Sequence, residues 1–176
     1  MVAGLAAVGL LGVAGCTSIV TGDPSVDTDD VPAYRTSVAA SKSAAAVTSS
    51  VRESQRQASL TTQAVRTVCE TLSTSSAEAV KTVNAYVAAV NSGGDVAAAV
   101  APARDALNSS AGRVSAEISD TLPADLRDAL TAWVDASRAA GEVLGGEPSA
   151  AEFNSAIDRV NATRTDALNL CDTAYR

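Results

Sequence analysis

The sequence predicts an all-α fold, an antiparallel bundle of four to five helices. Apolar residues recur at spacings of three and four along most of the chain, as they do on the buried face of an amphipathic helix. No segment alternates apolar and polar residues in the manner of a half-buried strand. Two capping-box patterns and two glycine pairs mark where helices should begin and end. We therefore expect helices packed side by side with short connections.

The N-terminal half contains two predicted helical segments. The first runs from about Pro32 to Leu72, and its expected core face is Ala58, Thr62, Val65, Cys69 and Leu72. A proline suits the first position of a helix, where no backbone donor is needed. The second begins at Ser75, where Ser75 and Glu78 form a capping box, and ends at Gly93-Gly94. Its expected core face is Val80, Val83, Val87 and Val90.

Three further segments follow in the C-terminal half. The third starts at Asp95, and Pro102 is expected to kink it or to split off a leading turn. Its core face is Val96, Val100, Ala103, Leu107, Val114, Ile118 and Leu122. The fourth follows Pro123 with Leu126, Leu130, Trp133, Ser137, Ala140 and Leu144. The fifth opens with the capping box of Ser149 and Glu152 and continues through Phe153, Ile157, Val160, Arg164, Ala167, Cys171 and Tyr175.

The first 16 residues form an uncharged run that ends in Val13-Ala14-Gly15-Cys16. This ending resembles the lipobox of bacterial lipoproteins. The resemblance implies that residues 1–15 are a signal peptide and that Cys16 carries acyl chains such as palmitate. It also implies a protein held on the extracytoplasmic face of the cell membrane. The composition, rich in Ala, Val, Asp and Arg, resembles the helical envelope lipoproteins of actinobacteria such as mycobacteria.

The start of the chain departs from the usual secretory pattern, because no Lys or Arg precedes Arg35. We therefore expect the true start to lie upstream of Met1. The alternative is an uncleaved membrane helix over residues 1–22, since roughly 20 apolar residues span a bilayer. Five glycines and several hydroxyl residues in that stretch weaken this alternative.

The predicted domain organisation has three parts. Residues 1–15 are the signal peptide, residues 16–31 are the lipidated N-terminus and a flexible polar tether, and residues 32–176 are the bundle. The acidic cluster Asp27-Thr28-Asp29-Asp30 begins like a calcium loop. However, Val31 and Pro32 stand where that loop needs a ligand and a glycine, so no metal site is expected.

The net charge of −7 argues against nucleic acid as a partner, because its backbone favours clustered Lys and Arg. It argues equally against a basic patch that grips anionic headgroups, so the acyl chains on Cys16 must provide the membrane anchor. Aromatic residues make up only 3% of the chain. The helices must therefore pack closely, with small side chains between them.

Cys69 and Cys171 are the cysteines that remain after Cys16. An even pair in an exported chain predicts a disulfide, and both residues fall on expected core faces. The closed loop of about 100 residues corresponds to roughly 4–5 kcal/mol in the chain-entropy model. The alternative is a pair of buried free thiols.

The sequence contains no histidine, which removes the commonest general base and the usual nucleophile pairs. No phosphate-binding glycine motif occurs either, so no catalytic residue, metal or cofactor is predicted. Asp125, Asp128 and Asp135 are expected at a helix start and on its exposed flank, and carboxylates near the start interact well with the helix dipole. A general acid/base pair is the less favoured alternative. Arg164 is the one charged residue on a core face. We expect it to snorkel or to pair with a carboxylate, with a ligand-anchoring role as the alternative.

Three classes of function remain. An anchored, non-catalytic interaction or scaffold module is favoured, with an unidentified envelope protein as partner, because it requires only the lipid, the tether and the helices. A carrier of a lipid or other hydrophobic ligand is the alternative, and an enzyme is the least favoured class. An apolar surface patch of several hundred Å² would favour the module. A deep dry cavity would favour the carrier.

Overall fold

The computed structural model describes residues 31–175, with the side chains of residues 32–175. It contains four helices, which are α1 (Val31–Ser92), α2 (Val96–Glu117), α3 (Ala124–Gly145) and α4 (Ala150–Ala174). No strand occurs within residues 31–175. The lipobox, Cys16 and the predicted tether as far as Asp30 lie outside the described residues, and Val31 is already helical.

The chain divides into two units between Val47 and Thr48. In the first unit the described residues are helical, and their side chains are exposed apart from the half-buried Val38. The second unit, from Thr48 onward, contains the rest of α1 together with α2, α3 and α4. The buried core lies in this second unit.

The predicted helix boundary at Ser75 is wrong, because α1 continues without a break through residues 72–76. A capping box stabilises a helix start only where backbone donors lack a partner. Here no Gly or Pro interrupts the helix, so those donors stay in the helical ladder. Both residues of the motif act elsewhere: Ser75 is buried, and the Glu78 carboxylate pairs with Arg113 of α2 at 2.8 Å. Arg113 therefore pairs with a residue of another helix, although Glu117 stands one turn away on its own helix.

The other helix ends follow the sequence more closely. Gly93 ends α1 with a φ of +65°, a conformation that favours glycine. Asp95 caps α2 by accepting a hydrogen bond from the backbone N–H of Ala98 at 3.0 Å. The Ser149–Glu152 capping box is confirmed, since both of its reciprocal bonds are present at the start of α4. Pro102 lies inside α2 and does not split it.

The core of the second unit is built mainly from small and branched side chains around one large residue, Trp133, which is 1% exposed. The expected core face of α3 is confirmed in full, from Leu126 to Leu144. On α1 the prediction is confirmed from Val65 to Leu72 but is wrong for Ala58, Thr62 and Val90, which are exposed. α1 has 62 residues, whereas the other helices have only 22 to 25. They can therefore cover only part of α1.

Candidate functional site

Cys69 of α1 and Cys171 of α4 are joined by a disulfide, with their Cα atoms 5.8 Å apart. Both residues are 4% exposed, so the bond is part of the core. This is the pair that the sequence predicted. Cys16, the predicted site of lipid attachment, lies outside the described residues.

The disulfide is the first of three contacts that fix the register between α1 and α4. Further along, the Arg164 Nε donates a hydrogen bond to the Ser76 hydroxyl at 2.8 Å. Beyond that, the rings of Tyr86 and Phe153 pack with their centroids 5.2 Å apart. As the residue number rises on α1 it falls on α4, so the two helices are antiparallel.

A cavity of about 110 Å³ lies between the second and third of these contacts. Side chains from all four helices line it. Its apolar lining consists of Ala79, Val80, Val83, Leu107, Trp133, Ile157 and Val160. Its polar lining consists of Ser76, Asn84, Asn161 and Arg164. The cavity therefore has an apolar interior and one cationic group.

Arg164 is half-buried at this cavity. The ion pairs among residues 32–175 are made by other arginines, so the expected pairing of Arg164 with a carboxylate is not found there. Its partner is instead the hydroxyl of Ser76, which is itself only 2% exposed. A guanidinium that meets a neutral acceptor keeps its full positive charge available to a ligand.

Four buried polar side-chain atoms in the described chain have no hydrogen-bond partner, namely Ser75 Oγ, Ser110 Oγ, Trp133 Nε1 and Ser137 Oγ. Each such group loses its hydration on burial without compensation, at a cost of about 1–3 kcal/mol. Trp133 is the one member of this set that also lines the cavity. The side chain of Trp133 thus lines the cavity, while its N–H group is fully buried.

The other predicted residues do not gather into a site. Asp125 accepts a hydrogen bond from the backbone N–H of Leu126 at the start of α3, and Asp128 and Asp135 are exposed. Among residues 31–175 no group of His, Cys, Asp and Glu side chains has the geometry of a metal site. The acidic cluster at residues 27–30 lies outside the described residues.

Two exposed glutamates have lowered pKa values, and both belong to local structure. The Ser149 hydroxyl and backbone N–H lower the pKa of Glu152, and Arg56 followed by Gln57 lowers the pKa of Glu53. Both partners of Glu53 lie within one helical turn of α1. These shifts reflect capping and intrahelical pairing.

A family model described as the Rv2240c four-helix bundle domain matches residues 51–172. The chain belongs to the Rv2240c four-helix bundle family. The match covers α2 and α3, most of α4 and the part of α1 that packs in the core. It confirms the predicted helical-bundle fold.

A relative of similar length is known from Mycobacterium tuberculosis (strain CDC 1551 / Oshkosh), where it is described as "Uncharacterized protein MT2300". The two sequences are 50% identical over 166 residues, which is 94% of this chain and 85% of the relative. No solved structure matches the chain. None of the helices in the described part of this Rv2240c-family chain is both long and apolar enough to cross a membrane.

In this Rv2240c-family bundle, sequence reasoning singled out Arg164 but missed Ser76 as its partner. Ser76 stood beside a supposed helix cap, and nothing in a single sequence indicates that residue 76 meets residue 164. The cavity was also missed, because its lining residues come from four helices. The available signal was a charged residue on a core face, which requires a polar partner at that level of the bundle.

Proposed function

We propose that this chain is a lipid-anchored, non-catalytic interaction module on the extracytoplasmic face of the cell membrane. The proposed membrane anchor is based on the uncharged run that ends in Val13-Ala14-Gly15-Cys16. An acyl anchor gains about 0.8 kcal/mol per buried methylene, and two or more chains are needed for stable attachment. The helical domain then carries the binding surface.

An open groove of about 380 Å³ in the second unit supports the interaction part of the proposal. On α1 it is lined by Leu60, Gln63, Ala64 and Thr67. Its other side is lined by Ala116 and Glu117 at the end of α2 and by Ser119 and Thr121 just beyond it. Leu60 is 43% exposed there. A branched apolar side chain beside a shallow groove suits contact with a protein surface. The partner we propose is a protein of the envelope.

The anchor is tested by replacing Cys16→Ser and measuring the intact mass. The variant should keep residues 1–15 and carry no acyl chain, whereas the unsubstituted protein begins at an acylated Cys16. The matched control replaces both Cys69 and Cys171 by Ala, which leaves Cys16 intact and should preserve acylation. Detection of residues 1–15 on the unsubstituted mature protein would refute the lipid anchor and favour a membrane helix.

The interaction is tested by recovering the lipidated protein from envelope membranes and identifying the proteins and lipids that accompany it. Replacing Leu60→Glu should abolish recovery of a specific protein partner. The control is Val90→Glu, because Val90 has a similar exposure of 48% but lies near the C-terminal end of α1, whereas Leu60 lies near its middle. Recovery of the same proteins with both variants would exclude the groove as the contact surface.

A carrier of a hydrophobic ligand is the second candidate, and the cavity beside Arg164 is the observation that favours it. Its volume of about 110 Å³ is well below the roughly 300–1,000 Å³ of pockets that hold drug-sized molecules. A complete lipid therefore does not fit in this conformation. A stoichiometric lipid in the recovered material would support the carrier over the interaction module.

A further inference from the structure

We propose that the cavity between α1 and α4 is a binding site for a small carboxylate with a short apolar body, whose head group pairs with Arg164. This site goes beyond the interaction module proposed above and does not depend on it. It rests on two features of the same cavity, a cation without a carboxylate partner and an apolar interior of matching size. A third feature, a single tryptophan in the wall, makes binding measurable.

The cation is the first feature. Nε of Arg164 is held by the Ser76 hydroxyl at 2.8 Å, which fixes the plane of the guanidinium. Its two Nη groups have no hydrogen-bond partner among residues 32–175. The guanidinium fork matches a carboxylate in shape and can donate two parallel hydrogen bonds to it. Ser76 is therefore the positioning residue, and Arg164 is the residue that contacts the ligand.

The apolar interior is the second feature. Val80, Val83, Leu107 and Ile157 surround a space of about 110 Å³. An apolar cavity of about 150 Å³ accommodates a benzene ring. The cavity here is smaller than that, so a chain of a few methylenes is the largest body that fits. The size favours a short-chain acid.

The single tryptophan in the wall is the third feature. Trp133 is 1% exposed, and its side chain lines the cavity. Trp133 is also the only tryptophan of the chain, so its fluorescence reports directly on occupancy of this cavity.

The test is a fluorescence titration of the full chain, with the disulfide formed, using hexanoate as the probe. Hexanoate combines a carboxylate with a short apolar tail. 1-Hexanol has the same tail without the charge, and acetate has the charge with almost no tail. We expect saturable changes in Trp133 emission with hexanoate, and affinities at least about tenfold lower for both comparison compounds.

Variants assign the effect to this cavity. Arg164→Gln removes the cation but keeps a donor for Ser76, and it should weaken hexanoate at least about tenfold while leaving 1-hexanol unchanged. Arg159→Gln is the matched control, because Arg159 is exposed on the same helix. Val80→Phe fills the cavity and should abolish the response to both compounds. Circular dichroism establishes that each variant remains helical.

Three results would overturn the proposal. The first is no saturable response of the unsubstituted protein to hexanoate at millimolar concentration. The second is equal affinity for hexanoate and 1-hexanol, which would show that Arg164 does not contact the ligand. The third is equal weakening by Arg159→Gln, which would indicate only a general effect of charge. The first two results are measured on the unsubstituted protein. They therefore test the proposal even if a substitution unfolds the protein.

Discussion

Arg164 of α4 and Ser76 of α1 are joined by a hydrogen bond of 2.8 Å that crosses the bundle between residues 88 positions apart in sequence. The serine is almost fully buried and the arginine is half-buried, so the guanidinium is partly withdrawn from water without a carboxylate to compensate its charge. The bond therefore has a structural role and also orients the arginine toward the cavity.

The first prediction concerns this bond and uses two adjacent buried serines. Replacing Ser76→Ala should lower the free energy of unfolding by about 1–2 kcal/mol, because it leaves a partly desolvated cation without its acceptor. Ser75→Ala is the control, since the Ser75 hydroxyl is buried and has no partner. Removing that hydroxyl should be neutral or stabilising. Urea unfolding of both variants measures the two changes in the free energy of unfolding. Equal losses of stability in the two variants would contradict the prediction.

The second prediction concerns the disulfide. Replacing both Cys69 and Cys171 by Ala should lower the free energy of unfolding, by up to about 4–5 kcal/mol in the chain-entropy model. The reason is the long loop that the bond closes, since the two cysteines are 102 positions apart. Helix content measured by circular dichroism should change little, because the caps and the core faces remain. Unaltered stability would mean that the bond does not restrict the unfolded chain.

The third prediction compares two glycines inside helices. A Cβ at Gly112 of α2 would meet no atom within 4 Å, so Gly112→Ala should raise the free energy of unfolding by about 1 kcal/mol through helix propensity. A Cβ at Gly141 of α3 would lie 3.0 Å from Oδ1 of Asn108, so the same gain should be reduced or lost there. Combining Gly141→Ala with Asn108→Ala should restore it. Thermal unfolding of the three variants is the measurement.

The fourth prediction concerns pH and the start of α4. Hydrogen bonds from Ser149 lower the pKa of Glu152 in the folded state. The stabilisation is therefore complete above the ordinary pKa of a glutamate, about 4.3, and is lost as the pH falls through the lowered folded-state value. We expect Glu152→Gln to be less stable than the unsubstituted protein at neutral pH.

That difference in stability should shrink as the pH falls through the lowered folded-state pKa of Glu152, because the protonated glutamate resembles the glutamine. The control is Asp166→Asn on the exposed part of the same helix, for which no comparable hydrogen bond is present in the structure. A stability difference for Glu152→Gln that does not depend on pH would exclude the charged capping interaction as its cause.

The sequence by itself determined the helical class and most helix ends of the bundle. Amphipathic spacing depends on the 3.6-residue period of the helix, and caps depend on residues within one turn. Gly93 and the Ser149–Glu152 box were therefore identified correctly from local sequence. The disulfide partners could also be named, because only two cysteines follow Cys16.

The tertiary structure decided everything that depends on which helices meet. It made Ser75 and Glu78 part of a continuous helix, left Ala58 and Thr62 exposed, and placed Ser76 opposite Arg164. The cavity beside Trp133 exists only because side chains of four helices converge there. Residues far apart in sequence become neighbours through packing, and the period of a single helix carries no information about its neighbours.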